Sequence, residues 1–196
     1  TRSPFGTRGT KAGESLEIVH SDLCGPIEPV SLGGSRYFVT LTDDHTGFNW
    51  VRFLKSKDQT FETLTALIRR VERQLNQAVK VIRTDGGGEY MSGNWTKFFD
   101  ETGIEHIVTA AYTPQQNGTA ERLNRSLLDT ARTLMIHSGL PMELWAEAVM
   151  TASYLKNRIV GDNGGLSAYE HAFGRPPTLK HVVPFGCVAY RTILKE

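Results

Sequence analysis

The chain has 196 residues, of which 39% are hydrophobic and 22% charged, which is typical of one globular domain with an appendage and excludes disordered, collagen-like and coiled-coil chains. Lys and Arg (22) nearly balance Asp and Glu (21), so the net charge of +1 indicates neither a nucleic-acid partner nor a basic one. The two cysteines form no CxxC motif, which argues against a disulfide scaffold, and no apolar run of about 18 residues predicts a membrane segment.

The first part of the chain predicts an arm followed by three strands. Residues 1–15 contain three basic side chains and no apolar period, so we expect a flexible basic arm. Alternating apolar and polar residues over 16–23 predict the first strand, and similar runs over 37–41 and 48–54 predict two more. The short link over 43–47 favours a hairpin, so the three strands are expected to form a meander.

Helices and short strands alternate in the rest of the core. Ser56 and Gln59 resemble a capping box before a helix whose apolar residues recur to Leu75. The following predictions, in order, are a strand over 79–85, a helix around 95–99, a strand over 104–108, a long helix over 116–138 and a helix over 142–159. This order predicts a mixed α/β core over 16–160, with helices packed on a five-stranded sheet. Residues 161–196 form a Gly- and Pro-rich appendage, in which one more strand is expected over 182–193.

Three acids stand at the ends of these predicted elements. Asp22 ends the first strand, Asp85 ends the fourth, and Glu121 lies in the first turns of the long helix. If the first and fourth strands are neighbours, both Asp side chains project at one edge of the sheet, and the helix can bring Glu121 to them. Clustered carboxylates raise one another's pKa, and a divalent cation relieves that cost. Hard oxygen ligands favour Mg²⁺ or Mn²⁺, and a pair of such ions supports phosphodiester displacement.

Each acid also has a purely structural interpretation. Asp22 precedes Gly25 and Pro26 and is typical of a turn, while Asp85 heads a glycine turn. Glu121 suits a helix start or an ion pair with the residue four positions later. Other acids could form a different trio, namely Asp43, Asp44 and Glu89.

The residues around the acids favour contact with DNA. Gly86–Gly88 follow Asp85 and permit close approach of a phosphate backbone or a positive φ. The polar stretch Tyr112–Gly118 suits a mobile loop that contacts DNA, although an exposed loop at a helix entry is the commoner case. Four further side chains are expected to be packed or hydrogen-bonded inside the core, namely His20, Trp50, Trp95 and Trp145.

Three motifs together resemble the catalytic core of copia-type LTR-retrotransposon integrases, which belong to the DDE integrase and transposase group of the ribonuclease H-like fold. The motifs are HSDLCGP over 20–26, RTDGGGEY over 83–90 and YTPQQNGTAERLNR over 112–125. The 35 residues between Asp85 and Glu121 match the spacing of that family. The segments SAYE over 167–170 and FGCVAY over 185–190 resemble the copia-type C-terminal extension, to which we assign 161–196.

This resemblance implies a set of site residues. Asp22, Asp85 and Glu121 would be the catalytic, metal-binding acids, holding two Mg²⁺ or Mn²⁺ ions, and no zinc is expected in this segment. Gly86 stands where the family often carries Asn, which removes one hydrogen-bonding side chain beside the second acid. The residues implied to contact DNA are Gln116, Asn117, Gly118, Arg122, Asn124 and Arg125.

The resemblance also implies a function, which is metal-dependent 3′-end processing and strand transfer that join element DNA to target DNA. The partners would be these two DNAs and further copies of the chain, in the nucleus during integration and in a cytoplasmic virus-like particle before it. A non-catalytic, host-retained domain that binds DNA or protein is the alternative, and a ribonuclease H or resolvase of the same fold is a second one. Because bound cations would add positive charge to the acidic edge, we expect DNA binding that depends on Mg²⁺.

Overall fold

A mixed sheet forms the centre of the fold in the computed structural model, which describes residues 11–109, 114–160 and 165–190, with only the backbone of 114–117. Its strands are β1 (Ile18–Cys24), β2 (Tyr37–Asp43), β3 (Asn49–Leu54), β4 (Val81–Thr84) and β5 (Glu105–Val108). The sheet order is β3-β2-β1-β4-β5. β1 pairs antiparallel with β2, and β2 with β3, whereas β4 runs parallel to both β1 and β5. The predicted meander is therefore confirmed, and the condition that the first and fourth strands are neighbours is met.

Helices cover both faces of this sheet. They are α1 (Thr60–Leu75), α2 (Gly93–Thr102), α3 (Pro114–Ser138), α4 (Trp145–Lys156) and α5 (Ala168–Phe173). α1 and α2 pack on one face, where Val19 and Leu41 join their apolar residues in a buried cluster. α3 and α4 pack on the other face, where Phe38 and Val51 meet them in a second cluster. The three tryptophans are buried in these clusters, as predicted.

The alternation of side chains along β1 decides what each face holds. Val19 points to the apolar cluster under α1, so His20 and Asp22 lie on the face that α3 covers. On β2 the directly opposite partners of these two residues are Thr42 and Thr40. A polar layer thus lies under the first turns of α3, at the edge where the parallel strands β1 and β4 end.

Some predicted boundaries differ from the structure. β1 begins at Ile18, because Leu16 has a φ of 61° and donates its backbone N–H to Asp43 Oδ1 at 2.9 Å. Ser56 makes no capping hydrogen bond, so that predicted capping box is wrong. A complete capping box instead joins Ser167 and Glu170 at the start of α5, a helix that the sequence pattern did not predict.

The terminal segments contact the core where the structure describes them. Residues 1–10 of the predicted arm lie outside the described residues, but the N–H of Ala12 donates to Asp44 at 2.9 Å. In the appendage, Phe173 packs edge-on against Phe48. The predicted strand over 182–193 is wrong for 182–190, because Pro184 accepts a turn hydrogen bond from Cys187 and Gly186 has a φ of 83°. None of the described helices combines the length and apolar character that a membrane span requires.

Candidate active site

Asp22 lies at the sheet edge where the chemistry is expected. Its side chain is partly buried, and its Oδ2 accepts a hydrogen bond from Asn124 Nδ2 at 2.8 Å. Burial and the charges of Asp85 and Glu121 raise the pKa of Asp22 against the lowering effect of the Asn124 hydrogen bond, to a net value of about 6. The charges of the other two predicted acids therefore act on Asp22, although the three residues come from three separate elements.

Asp85 follows β4 in a glycine turn that it also stabilises. Its Oδ1 accepts the N–H of Gly87 at 3.1 Å, which confirms the structural interpretation of Asp85 as the head of a glycine turn. None of Gly86, Gly87 and Gly88 has a positive φ, so the turn does not use the positive φ that these glycines permit. A Cβ at Gly87 would meet the Glu89 carboxylate at 2.8 to 2.9 Å, so the Glu89 side chain would have to turn away. A Cβ at Gly86 would make only an ordinary contact with Val108 at 3.8 Å, so its Cβ position is open.

The start of α3 corrects the predicted mobile loop. The helix begins at Pro114, so Gln116, Asn117 and Gly118 have helical backbones. Proline suits the first position of a helix, because it has no N–H to satisfy there. The side chains of Gln116 and Asn117 lie outside the described residues. Gly118 is buried, and a Cβ there would meet Arg122 Nη1 at 2.7 Å, so the arginine lies over the glycine.

The remaining predicted residues of α3 fall on two different faces. Glu121, Arg122 and Arg125 are exposed, and none of the ion pairs within the described ranges involves them. The suggested pair between Glu121 and Arg125 is therefore absent from these residues. Asn124 is only 5% exposed and bonds to Asp22, which corrects its predicted contact with DNA. Its position between the buried Leu123 and Leu127 turns it toward the sheet.

Two of the competing acids have structural roles. Asp43 is fully buried and accepts hydrogen bonds from the N–H of Leu16 and from the N–H and hydroxyl of Thr46. Asp44 contacts His20 Nε2 at 2.8 Å, so His20 is hydrogen-bonded inside the core, as predicted. Burial lowers the pKa of His20, although the hydrogen bond to Asp44 opposes that shift. Glu89 stays beside Gly87, on the same turn as Asp85.

Tyr90 supports the site but was not identified from the sequence. Its hydroxyl lies 3.3 Å from Ser21 Oγ and joins the turn after β4 to β1, beside Asp22. Burial raises the pKa of Tyr90 far above its usual range, so the phenol stays protonated. The only signal in the sequence was its position at the end of the glycine motif.

The three acids fit a divalent cation by their chemistry. Carboxylate oxygens are hard ligands, and a cation would offset the negative charges that help to raise the pKa of Asp22. Across the described ranges, however, no three His, Cys, Asp or Glu side chains lie close enough to hold a metal ion. A cation at this edge therefore requires the carboxylates to move closer together than they lie in this structure.

Comparison with known proteins agrees with this arrangement. The family described as "Integrase core domain" matches residues 13–114, just over half of the chain, which include Asp22 and Asp85. The chain is also 38% identical over all 196 residues to the "Retrovirus-related Pol polyprotein from transposon TNT 1-94" of Nicotiana tabacum, of which it spans 15%.

Two solved structures share the fold at 17% identity. One is the cryoEM structure of the simian T-cell lymphotropic virus intasome in complex with PP2A regulatory subunit B56 gamma, with a TM-score of 0.68 over 98% of this chain and 66% of that one. The other is the HTLV-2 integrase catalytic core domain in complex with magnesium, in a trimeric form, with a TM-score of 0.62 over 83% of this chain and 99% of that one. The sheet and its flanking helices thus form the ribonuclease H-like fold of integrase cores, and the chain belongs to the integrase core domain family.

Proposed function

We propose that this chain is the catalytic core of a copia-type retrotransposon integrase and that it carries out 3′-end processing and strand transfer. The observation that carries the proposal is that the charges of Asp85 and Glu121 both raise the pKa of Asp22, so both acids lie within electrostatic range of Asp22. Membership in the integrase core domain family and the similarity to a transposon Pol polyprotein support the same conclusion. The chain spans only 15% of that relative, so the proposal concerns the core reaction.

The three acids would hold Mg²⁺ or Mn²⁺, which activates the attacking oxygen and stabilises the leaving oxygen in phosphodiester displacement. Asp22 is held by Asn124, and Asp85 is held by the N–H of Gly87. Glu121 would join them from the exposed face of α3. The HTLV-2 core was solved with magnesium, which supports the choice of cation.

DNA would approach the edge formed by the glycine turn and the start of α3. Gly86 and Gly88 are exposed and carry no side chain, so a phosphate backbone can come close to Asp85. Arg122 and Arg125 would contact phosphates. The residues at the start of α3, Gln116–Gly118, would also contact DNA, as the family resemblance implies.

Assembly and location follow from the same proposal. The chain would act as a multimer on element-end DNA and target DNA, as the intasome and the trimeric core among its structural neighbours suggest. It would do so in the host nucleus, after transport from a cytoplasmic virus-like particle.

A second candidate is a non-catalytic domain that binds DNA or protein, which is favoured by the spread of the three carboxylates in this structure. A strand-transfer assay with Mn²⁺ and Asp85→Asn separates the two. We expect the wild-type chain to join element-end DNA to target DNA. The strand-transfer activity of the variant should be at least about 100-fold lower, because removing a residue that only supports a metal ligand costs up to about 100-fold.

Asp129→Asn is the matched control, because Asp129 is an exposed acid on α3 that is remote from the site. Its joining activity should equal that of the wild type. Full joining activity in Asp85→Asn would rule out the catalytic proposal, and absence of joining in a folded wild-type chain would favour the second candidate.

A further inference from the structure

A chain of hydrogen bonds joins β2 to the acid on β1 through α3. Thr40 Oγ1 donates to Asn124 Oδ1 at 3.1 Å, which is closer than its other acceptor, the backbone oxygen of Asp22 at 3.4 Å, and Asn124 Nδ2 donates to Asp22 Oδ2 at 2.8 Å. Thr40 is 0% exposed and Asn124 5%, so water scarcely competes for these bonds. This series of hydrogen bonds therefore ends on a carboxylate that the proposed function requires.

Chemistry fixes the direction of each bond in this chain. The carboxylate of Asp22 only accepts hydrogen bonds, so the amide of Asn124 must turn Nδ2 toward it. The amide oxygen then faces Thr40, whose hydroxyl can donate. Without that hydroxyl the buried oxygen would lose its donor, and a flipped amide would set oxygen against oxygen at Asp22. Asp22 thus sets the orientation of the amide, and Thr40 supplies the donor that the amide oxygen then needs.

The same bonds relate α3 to the sheet. Thr40 lies directly opposite Asp22 in the register of β1 and β2, and Asn124 comes one helical turn after Glu121. Leu123 and Leu127 also pack under this helix, but apolar contacts have no direction. Directional bonds from Asn124 therefore define where α3, and with it Glu121, stands relative to Asp22.

We propose that Thr40 is a positioning residue, which acts through Asn124 to orient Asp22 and to place Glu121 beside it for cation binding. The cation-binding part rests on the proposed function. The orientation of the Asn124 amide does not, so the two parts can be tested separately.

β2 itself supplies a matched control for this test. Thr42 lies two residues from Thr40 on the same face, is 4% exposed, and its Oγ1 has no hydrogen-bond partner among the described residues. Thr42→Val therefore removes a buried hydroxyl from the same strand without breaking a bond. Thr40→Ser keeps the hydroxyl that Thr40→Val removes, and Thr40→Ala replaces Thr40→Val if the latter does not fold.

The direct readout is hydrogen exchange of the Asn124 side-chain amide, followed by ¹⁵N NMR in metal-free protein. In Thr40→Val we expect exchange about tenfold faster than in the wild type, which corresponds to the loss of one hydrogen bond. Thr42→Val and Thr40→Ser should remain within about twofold of the wild type. Equal exchange in Thr40→Val and Thr42→Val would overturn the proposal.

The functional readout is Mn²⁺ affinity, measured by calorimetry on the same proteins. Thr40→Val should bind Mn²⁺ about tenfold more weakly, as is usual when a supporting partner of a metal ligand is removed. If Thr40→Val binds Mn²⁺ like Thr42→Val while Asp85→Asn abolishes strand transfer, the positioning role fails and the proposed function stands. If Asp85→Asn keeps strand transfer but the exchange difference persists, only the proposed function fails.

Discussion

The carboxylate of Asp22 is partly buried beside two other acids, so the metal-free protein carries an electrostatic cost at this residue. Its pKa is about 6 in the folded protein, against an ordinary value of 3.8. Between these values the folded state holds a proton that the unfolded state has lost, so the free energy of unfolding falls as pH rises from about 4 to about 6. Above that range the full cost remains.

Asp22→Asn removes this charge and leaves an amide oxygen that can still accept from Asn124. We expect the metal-free variant to unfold at a higher temperature than the wild type at pH 7.5. Its free energy of unfolding should be greater by on the order of 2 kcal/mol, after allowance for solvent screening at a partly exposed group. The difference should shrink toward pH 4, where the wild-type carboxyl is protonated. Thermal unfolding of both proteins across this range measures it, and a variant no more stable than the wild type at pH 7.5 would contradict the electrostatic cost.

Residue roles could be predicted from the sequence where spacing decides them. The positions of Asp22 and Asp85 at strand ends follow from alternation and glycine turns. Asn124 was assigned to DNA because it stands among arginines, yet the helical period places it with Ala120 and Leu127 on the buried face. Thr40 gave no signal, because its partner is distant in sequence and a threonine in a strand is common.

Among the elements, the helix α3 carries different kinds of residue on its buried and exposed faces. Its buried face bears Asn124 and the apolar residues under the helix, and its exposed face bears Glu121, Arg122 and Arg125. Exposed arginines without described ion pairs are free to neutralise phosphates, and each releases counterions when it does so.

The double variant Arg122→Gln and Arg125→Gln tests the exposed face. We expect weaker binding to duplex DNA, and a salt dependence of the binding constant that is smaller in log–log slope by about 0.9 for each arginine removed. Arg132→Gln serves as control, because Arg132 lies farther along the same helix and pairs with Asp129 at 3.3 Å. Titrations of labelled DNA at several salt concentrations measure the slope, and a slope equal to that of the control would argue against contact at this face.

Elements were predictable where hydrophobic periodicity was strong. The five strands and the four longer helices were predicted, whereas α5 was missed because six residues are too few to show a helical period. The strand expected over 182–193 rested on β-prone residues alone. A strand also needs a neighbouring strand to which it can hydrogen-bond. In the described part of that segment, the turn at Pro184 interrupts the extended backbone that a strand requires.

At the scale of the whole molecule, the sheet order brings distant parts of the chain to one edge. Asp22 and Asp85 meet there because β1 and β4 are adjacent and parallel, and α3 crosses the same edge with Glu121. The net charge of +1 conceals this local gathering of acids. Strand adjacency could be proposed from the sequence only as a condition, since periodicity does not specify which strands pair.

Asp22 and Asp85, together with Glu121, are proposed to bind a divalent cation. Anomalous diffraction from crystals of the chain soaked in Mn²⁺, beside crystals of Asp85→Asn treated alike, tests this proposal. We predict an anomalous peak between the Asp22 and Asp85 carboxylates in the wild type and its loss in the variant. No peak at these carboxylates at saturating Mn²⁺, or an equal peak in both crystals, would contradict the claim.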